Sequence, residues 1–216
     1  MPKSTQAAPA QESTTQRSAR EALQALYWDC HSRISWHFGR IRGRLRTRDP
    51  LSGALLRRAF DPRAERILKK APSDAIPALM VIDIDHFQFA NGALGFAFGD
   101  RYLRELATLI QEKATTALVS RRAQGEFTVL VPADIDPIEL AESIRSTVEH
   151  RYKEASKAVT AGAPAAGITT PDSPALTVRV GISRRQVRDL QVHLELAAQA
   201  TWQAALNGRN RVEVLQ

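Results

Sequence analysis

The chain has 216 residues, 44% of them hydrophobic, which suits one domain with a real core plus an appendage. A single cysteine, Cys30, excludes an internal disulfide framework and a cysteine-rich zinc site, and no apolar run approaches the roughly 20 residues that span a bilayer. The formal net charge of +7 raises nucleic acid or an anionic surface as partners, so the placement of that charge matters.

Residues 1–16 are rich in Ser, Thr, Gln, Ala and Pro and lack an apolar core of the signal-peptide kind. They predict a disordered tail on a cytoplasmic protein. Over 17–48, apolar residues recur at Leu23, Tyr27, Cys30, Ile34, Phe38, Ile41 and Leu45, in steps of three and four that trace one face of a long helix. So narrow a stripe predicts pairing, with a second copy or with a partner protein. Gly39 and Gly43 weaken it locally. His31 and His37 lie near the stripe without carboxylate or thiol company, which fits packing or surface better than metal. Arg33, Arg40, Arg42, Arg44, Arg46 and Arg48 carry much of the excess charge. Spacing by two scatters them around a helix, so a solvated basic segment over 40–48 is favoured above a nucleic-acid or membrane partner.

Asp49-Pro50-Leu51-Ser52-Gly53 is a break, and Ala54 to Lys70 follows as a helical pattern with a kink at Asp61-Pro62. Ala78 to Ile82 is a nearly continuous apolar run, the mark of a strand buried on both faces. It ends in Asp83-Ile84-Asp85, two acids that project to the same face and are costly there unless paired, hydrated or bound to a cation. Asn91-Gly92 marks a short helix-like turn, and Gly99-Asp100 opens a helix from Arg101 to Lys113. Arg121 to Val131 is a hairpin, with Gly125 at its turn and Phe127, Val129 and Val131 alternating on the way out. A helix from Pro137 to Ser156, a loop from Ala158 to Pro174, a strand from Leu176 to Ile182, a helix from Leu190 to Leu206 capped by Gly208, and a strand from Val212 to Leu215 complete the chain. This alternation predicts an α/β (α+β) fold: a palm-like, ferredoxin-related sandwich with helices on a mixed central sheet.

The ordered set Asp49-Pro-Leu-Ser-Gly53, Asp83-Ile-Asp-His-Phe87, Asn91, Gly99-Asp100, Gly125-Glu-Phe127 and Gly208-Arg-Asn-Arg211 resembles the GGDEF domain of diguanylate cyclases, from Asp49 to the C-terminus. Such domains face each other in pairs and join two GTP molecules into cyclic di-GMP. The resemblance implies residues 49–216 as the domain and 17–48 as a dimerising or signalling helix. It also assigns roles. Asp83 and the third residue of the signature would hold divalent metal, which spreads the triphosphate charge and activates the attacking hydroxyl. Two signature glycines would let the backbone approach the phosphates.

The departures fall on those same positions. Ala123 and Gln124 replace the glycines, and Gly125 stands where the second metal-binding acid belongs; only Glu126 and Phe127 match. Gln88, Phe96 and Ala205 replace residues that the family favours as lysine, histidine and lysine, while Arg209 is kept. The family's product-inhibitory motif would fall on Ala114 and Ala117, so no inhibitory site is expected. Mg²⁺ would have to rely on Asp83, with Asp85 as a further candidate, and on phosphate oxygens and water, leaving Glu126 a vestigial catalytic residue. The guanine end is matched by Asn91 and Asp100, implying GTP or GDP as ligand. Taken alone, Asn91-Gly92 also reads as a plain turn and Asp100 as a helix cap. The expectation is a degenerate GGDEF domain that acts as a GTP-binding or protein-interaction module; the alternative is an active cyclase with a non-standard metal site.

Overall fold

Strand β2 (Ala78–Ile84) lies inside a six-stranded sheet because its Ala-Leu-Met-Val-Ile run supplies apolar side chains to both faces. The computed structural model describes residues 46–123, 125–160 and 176–216. Around β2 the elements are β1 (Leu55–Leu56), α1 (Arg57–Lys70), α2 (Phe87–Leu94), α3 (Phe96–Lys113), β3 (Leu118–Arg121), β4 (Glu126–Val131), α4 (Pro137–Thr160), β5 (Val178–Ser183), α5 (Leu190–Leu206) and β6 (Val212–Leu215). The strand order is β1-β3-β4-β2-β5-β6. The outer pairs β1–β3 and β5–β6 are parallel and the three inner pairings antiparallel, so the sheet is mixed.

Alternation along β2 divides the core. Met80 and Ile82, with Phe127, Val129, Val180 and Ile182 beside them, join Leu103, Ile110 and Ile144 of α3 and α4. Leu79, Val81 and Leu130 join Phe60 and Leu68 of α1 and Leu190 and Ala197 of α5. The expected sandwich of helices on a mixed sheet is the fold observed, with the hairpin at β3–β4.

Several expected boundaries move. Ala54 to Leu56 is not helical: Leu55 and Leu56 pair with Ser120 and Arg121, and a two-residue strand has too little length to show a period. Pro62 is accommodated inside α1. Helix α3 begins at Phe96, after Gly95 (φ 84°), so Asp100 sits within the helix and does not cap it. The helix expected over 17–48 lies outside the described residues except at its end, where Arg48 bridges Leu55. The loop expected from Ala158 also falls outside them, save that α4 continues to Thr160. Among the described residues no helix is long and apolar enough to cross a membrane.

One core histidine gives the fold a pH dependence. His193 on α5 is fully buried, with Nε2 2.9 Å from the Val187 carbonyl and Nδ1 2.9 Å from the Ser183 hydroxyl. A ring that donates to the carbonyl through Nε2 accepts from Ser183 through Nδ1, which is the neutral tautomer. Burial lowers its pKa, against the bond to Val187 and the charge of Asp189. The unfolded chain therefore takes up a proton near pH 6.5 that the folded chain refuses. This contribution to stability is complete above that pH and is lost as pH falls through it, by at most about 1.4 kcal/mol per pH unit. Urea titrations at pH 7.5 and 5.5 should show the loss, and His193→Gln should reduce it.

Candidate functional site

The antiparallel pairings of β2 place Glu126 directly opposite Asp83 on one side and Arg179 of β5 on the other. Opposed residues share a face, so the three charged side chains form a row across the strand ends. The face is the one that α5 covers further along the sheet, where Gly181 meets Ala197 and Thr201.

Arg179 bridges the two acids of the motif. Its Nη2 is ion-paired to Asp83, and its Nη1 donates to Asp85 Oδ1 at 2.8 Å. Asp85 is fully buried and accepts twice more on Oδ2, from the Thr177 hydroxyl at 2.7 Å and from the Asn210 backbone N–H at 3.0 Å. Its own N–H donates to the Thr177 carbonyl. Asp85, a further metal candidate by sequence, is thus the buried acceptor that joins β2, β5 and the loop after α5. Asp83 is only partly covered. Its pKa is raised by burial, against the charge of Arg179, with Asp85 pushing further upward. Glu126 is raised by burial and by Asp83, against Arg122 and Arg179.

Backbone strain gathers at the same place. His86 (φ 57°), Arg209 (φ 63°) and Asn210 (φ 44°) are the non-glycine residues with left-handed conformations among those described. His86 turns the chain from Asp85 into α2, and the Arg209–Asn210 turn brings its N–H to Asp85. Such conformations persist where the surroundings over-determine them.

The opening arginines of the hairpin serve the frame. Arg121 Nη1 donates to Asp49 Oδ1 at 3.1 Å, and Asp49 also accepts from the Ser52 N–H and hydroxyl. Although burial opposes ionisation, these bonds hold the Asp49 carboxyl below the usual range. Arg122 pairs with Asp61 and lies over the Phe60 ring. At the turn, the Gly125 carbonyl accepts from Ile84 N–H, and a Cβ built on Gly125 would stand 3.1 Å from Phe87 Cδ1.

A cleft of about 620 Å³ opens here, lined by Asp83, His86, Phe87, Glu126, Arg179 and Arg209 among others. The structure therefore unites Asp83, Glu126 and Arg209 from the sequence reading. It leaves Asn91 and Asp100 outside that lining. Asp100 is exposed on α3, whereas Asn91 Oδ1 is buried without a hydrogen-bond partner. It lies against Gly99, where a Cβ would come within 1.9 Å of it. Ala114 is buried in the core and Ala117 packs against it, so the two inhibitory-motif positions are apolar packing sites.

Arg179 was not singled out from sequence. Its signal is there: an arginine on a strand whose other residues, Val178, Val180 and Ile182, are all buried needs a carboxylate partner, and Asp83 and Asp85 end another buried strand.

The family model described as "Diguanylate cyclase, GGDEF domain" matches residues 46–211, and the chain belongs to this family. It is 33% identical over 104 residues to Diguanylate cyclase VdcA of Vibrio cholerae, covering 47% of this chain and 30% of that protein. It is 30% identical over 169 residues to Diguanylate cyclase DgcP of Pseudomonas aeruginosa, covering 77% of this chain and 23% of that one. The chain thus spans less than a third of the length of these relatives. Among solved structures, the coiled coil and GGDEF domain of DgcB from Caulobacter crescentus, in complex with c-di-GMP, is similar with a TM-score of 0.66 at 25% identity, covering 91% of this chain and 100% of that one.

Proposed function

We propose that this domain works in the cytoplasm as a regulatory module of cyclic di-GMP signalling and does not itself join two GTP molecules. The observation that carries the reading is the state of the metal-holding positions. One is Gly125, and the other, Asp83, is ion-paired to Arg179. No group of three or more His, Cys, Asp or Glu side chains among the described residues is arranged to hold a metal. The residues present do not fit the Mg²⁺ that the family's reaction uses. Segment 17–48 would supply pairing with a second copy or a partner protein.

A guanine nucleotide is the ligand this reading favours. Asn91 Oδ1, buried and unpartnered, would be satisfied by a donor brought by a ligand, whereas left alone it costs about 1–3 kcal/mol. The second reading, an active cyclase with an unusual site, rests on the named cyclases among the relatives and on the retained Asp83 and Glu126.

Incubation of the full chain with GTP and Mg²⁺ or Mn²⁺ separates the two. No cyclic di-GMP above an Asp83→Ala control is expected, with turnover at least about 100-fold below a cyclase that has both acids. Product above that control would establish the enzyme reading. Calorimetry on the same protein should show GTP preferred to ATP, with the preference lost in Asn91→Ala. Absence of nucleotide binding at millimolar concentration would leave protein interaction as the module's role.

A further inference from the structure

We infer that the Arg179 guanidinium is the built-in cation of this cleft, occupying with a fixed single charge the place where strand-end acids would otherwise collect a divalent ion. The inference deepens the regulatory reading, but it concerns ion binding and not turnover.

Three observations support it. Arg179 stands in register with Asp83, and Glu126 stands in register on the far side of Asp83, so the guanidinium is held against one of the two carboxylates that line the cleft among the described residues and one strand further from the other. It bridges Asp83 and Asp85 with two different nitrogens, which fixes the plane of the group. It also cannot swing away cheaply. Asp85 is fully buried, its other partners are one hydroxyl and one backbone N–H, and departure of Arg179 would leave that carboxylate without a countercharge.

A divalent ion reaching Asp83 would therefore meet a resident cation and only a partly shared carboxylate. Arg209 adds another positive side chain to the same lining. A guanidinium satisfies carboxylates through N–H donors, yet it offers no coordination position to a hydroxyl or phosphate oxygen, so the charge is present without a metal's chemistry. Removing Arg179 should expose a weak oxygen site made by Asp83 and Glu126, with affinity in the region of millimolar.

The test is Mn²⁺ uptake by the full chain, read from the paramagnetic resonance of free Mn²⁺ with no nucleotide present. The wild type should leave the signal unchanged by any site that depends on Asp83. Arg179→Ser should take up Mn²⁺, and the double variant Arg179→Ser/Asp83→Asn should lose that uptake. At about tenfold the dissociation constant, Mn²⁺ should also raise the melting temperature of Arg179→Ser by about 3–6 °C. If Arg179→Ser does not fold, Arg179→Gln removes the charge while keeping donors for Asp85, and the same uptake is expected. Uptake by the wild type that Asp83→Asn abolishes would overturn the inference, as would folded Arg179→Ser or Arg179→Gln that takes up none. Formation of cyclic di-GMP by the wild type would instead overturn the regulatory reading, so the two can fail separately.

Discussion

Gly181→Ala should destabilise the domain by about 3–5 kcal/mol, enough to leave much of it unfolded at 37 °C if its stability is ordinary. Gly181 lies in β5, pairing with Val81 on one side and Glu213 on the other, and its Cα faces helix α5. A Cβ there would stand 2.2 Å from the Ala197 carbonyl oxygen, 2.2 Å from the Thr201 nitrogen and 2.4 Å from Thr201 Oγ1. Two of those atoms are helix backbone, so relief cannot come from a side-chain rotation. The helix would have to lift by the better part of an ångström, and every buried contact along Leu190, Ala197, Ala200 and Ala204 would loosen with it. Thr201 is also committed, donating to the Ala197 carbonyl at 2.7 Å. Gly92→Ala is the matched control. It lies inside α2 with no atom within 4 Å of the added carbon, and should be neutral or stabilising by up to about 1 kcal/mol. Urea unfolding of both variants checks the contrast; a Gly181→Ala protein within 1 kcal/mol of wild type would mean that α5 is far less tightly seated than the geometry shows.

What could be read from the sequence follows how local each signal is. β2 was legible because a strand buried on both faces shows as an apolar run, and α5 and β6 because their periods are complete between clear breaks. Leu55-Leu56 was misread as helix because its strand character comes from Ser120 and Arg121, far along the chain. Gly99 was misread as a helix opening. Its smallness answers to the Asn91 side chain and marks the close packing of α2 against α3, while the punctuation is Gly95. The site divides in the same way. Asp83, Glu126 and Arg209 were found through motifs, each a continuous stretch of sequence. The partnership of Arg179 with Asp83 and Asp85 depends on the register of β2 against β5, which no short stretch encodes. The separate fates of the two acids were hidden for the same reason: alternation puts Asp83 and Asp85 on one face, but only the loop after α5 decides which is enclosed.

That difference between the two acids yields the second large expected effect. Asp85→Ala should cost about 3–5 kcal/mol, whereas Asp83→Ala should stay within about 1 kcal/mol. Removing the Asp85 carboxylate strands the Thr177 hydroxyl and the Asn210 N–H in a buried place and leaves Arg179 with Asp83 alone. The Asn210 bond also helps to hold two consecutive left-handed residues, so the turn that carries Arg209 into the cleft should loosen as well. Asp85→Asn keeps the shape but presents an amide donor where the three partners also donate, and should fall between the extremes. Asp83 is different because it is partly solvated and its charged form is already disfavoured by burial and by Asp85. Its loss also lets Arg179 keep the better-enclosed partner. Denaturant midpoints of the three variants, measured at pH 7.5, decide the matter. Equal losses in Asp83→Ala and Asp85→Ala would mean that the strand end is held as one exposed charge cluster and not by a buried acceptor, and the ordering Asp85→Ala, Asp85→Asn, Asp83→Ala, from most to least destabilised, is the result that a buried acceptor requires.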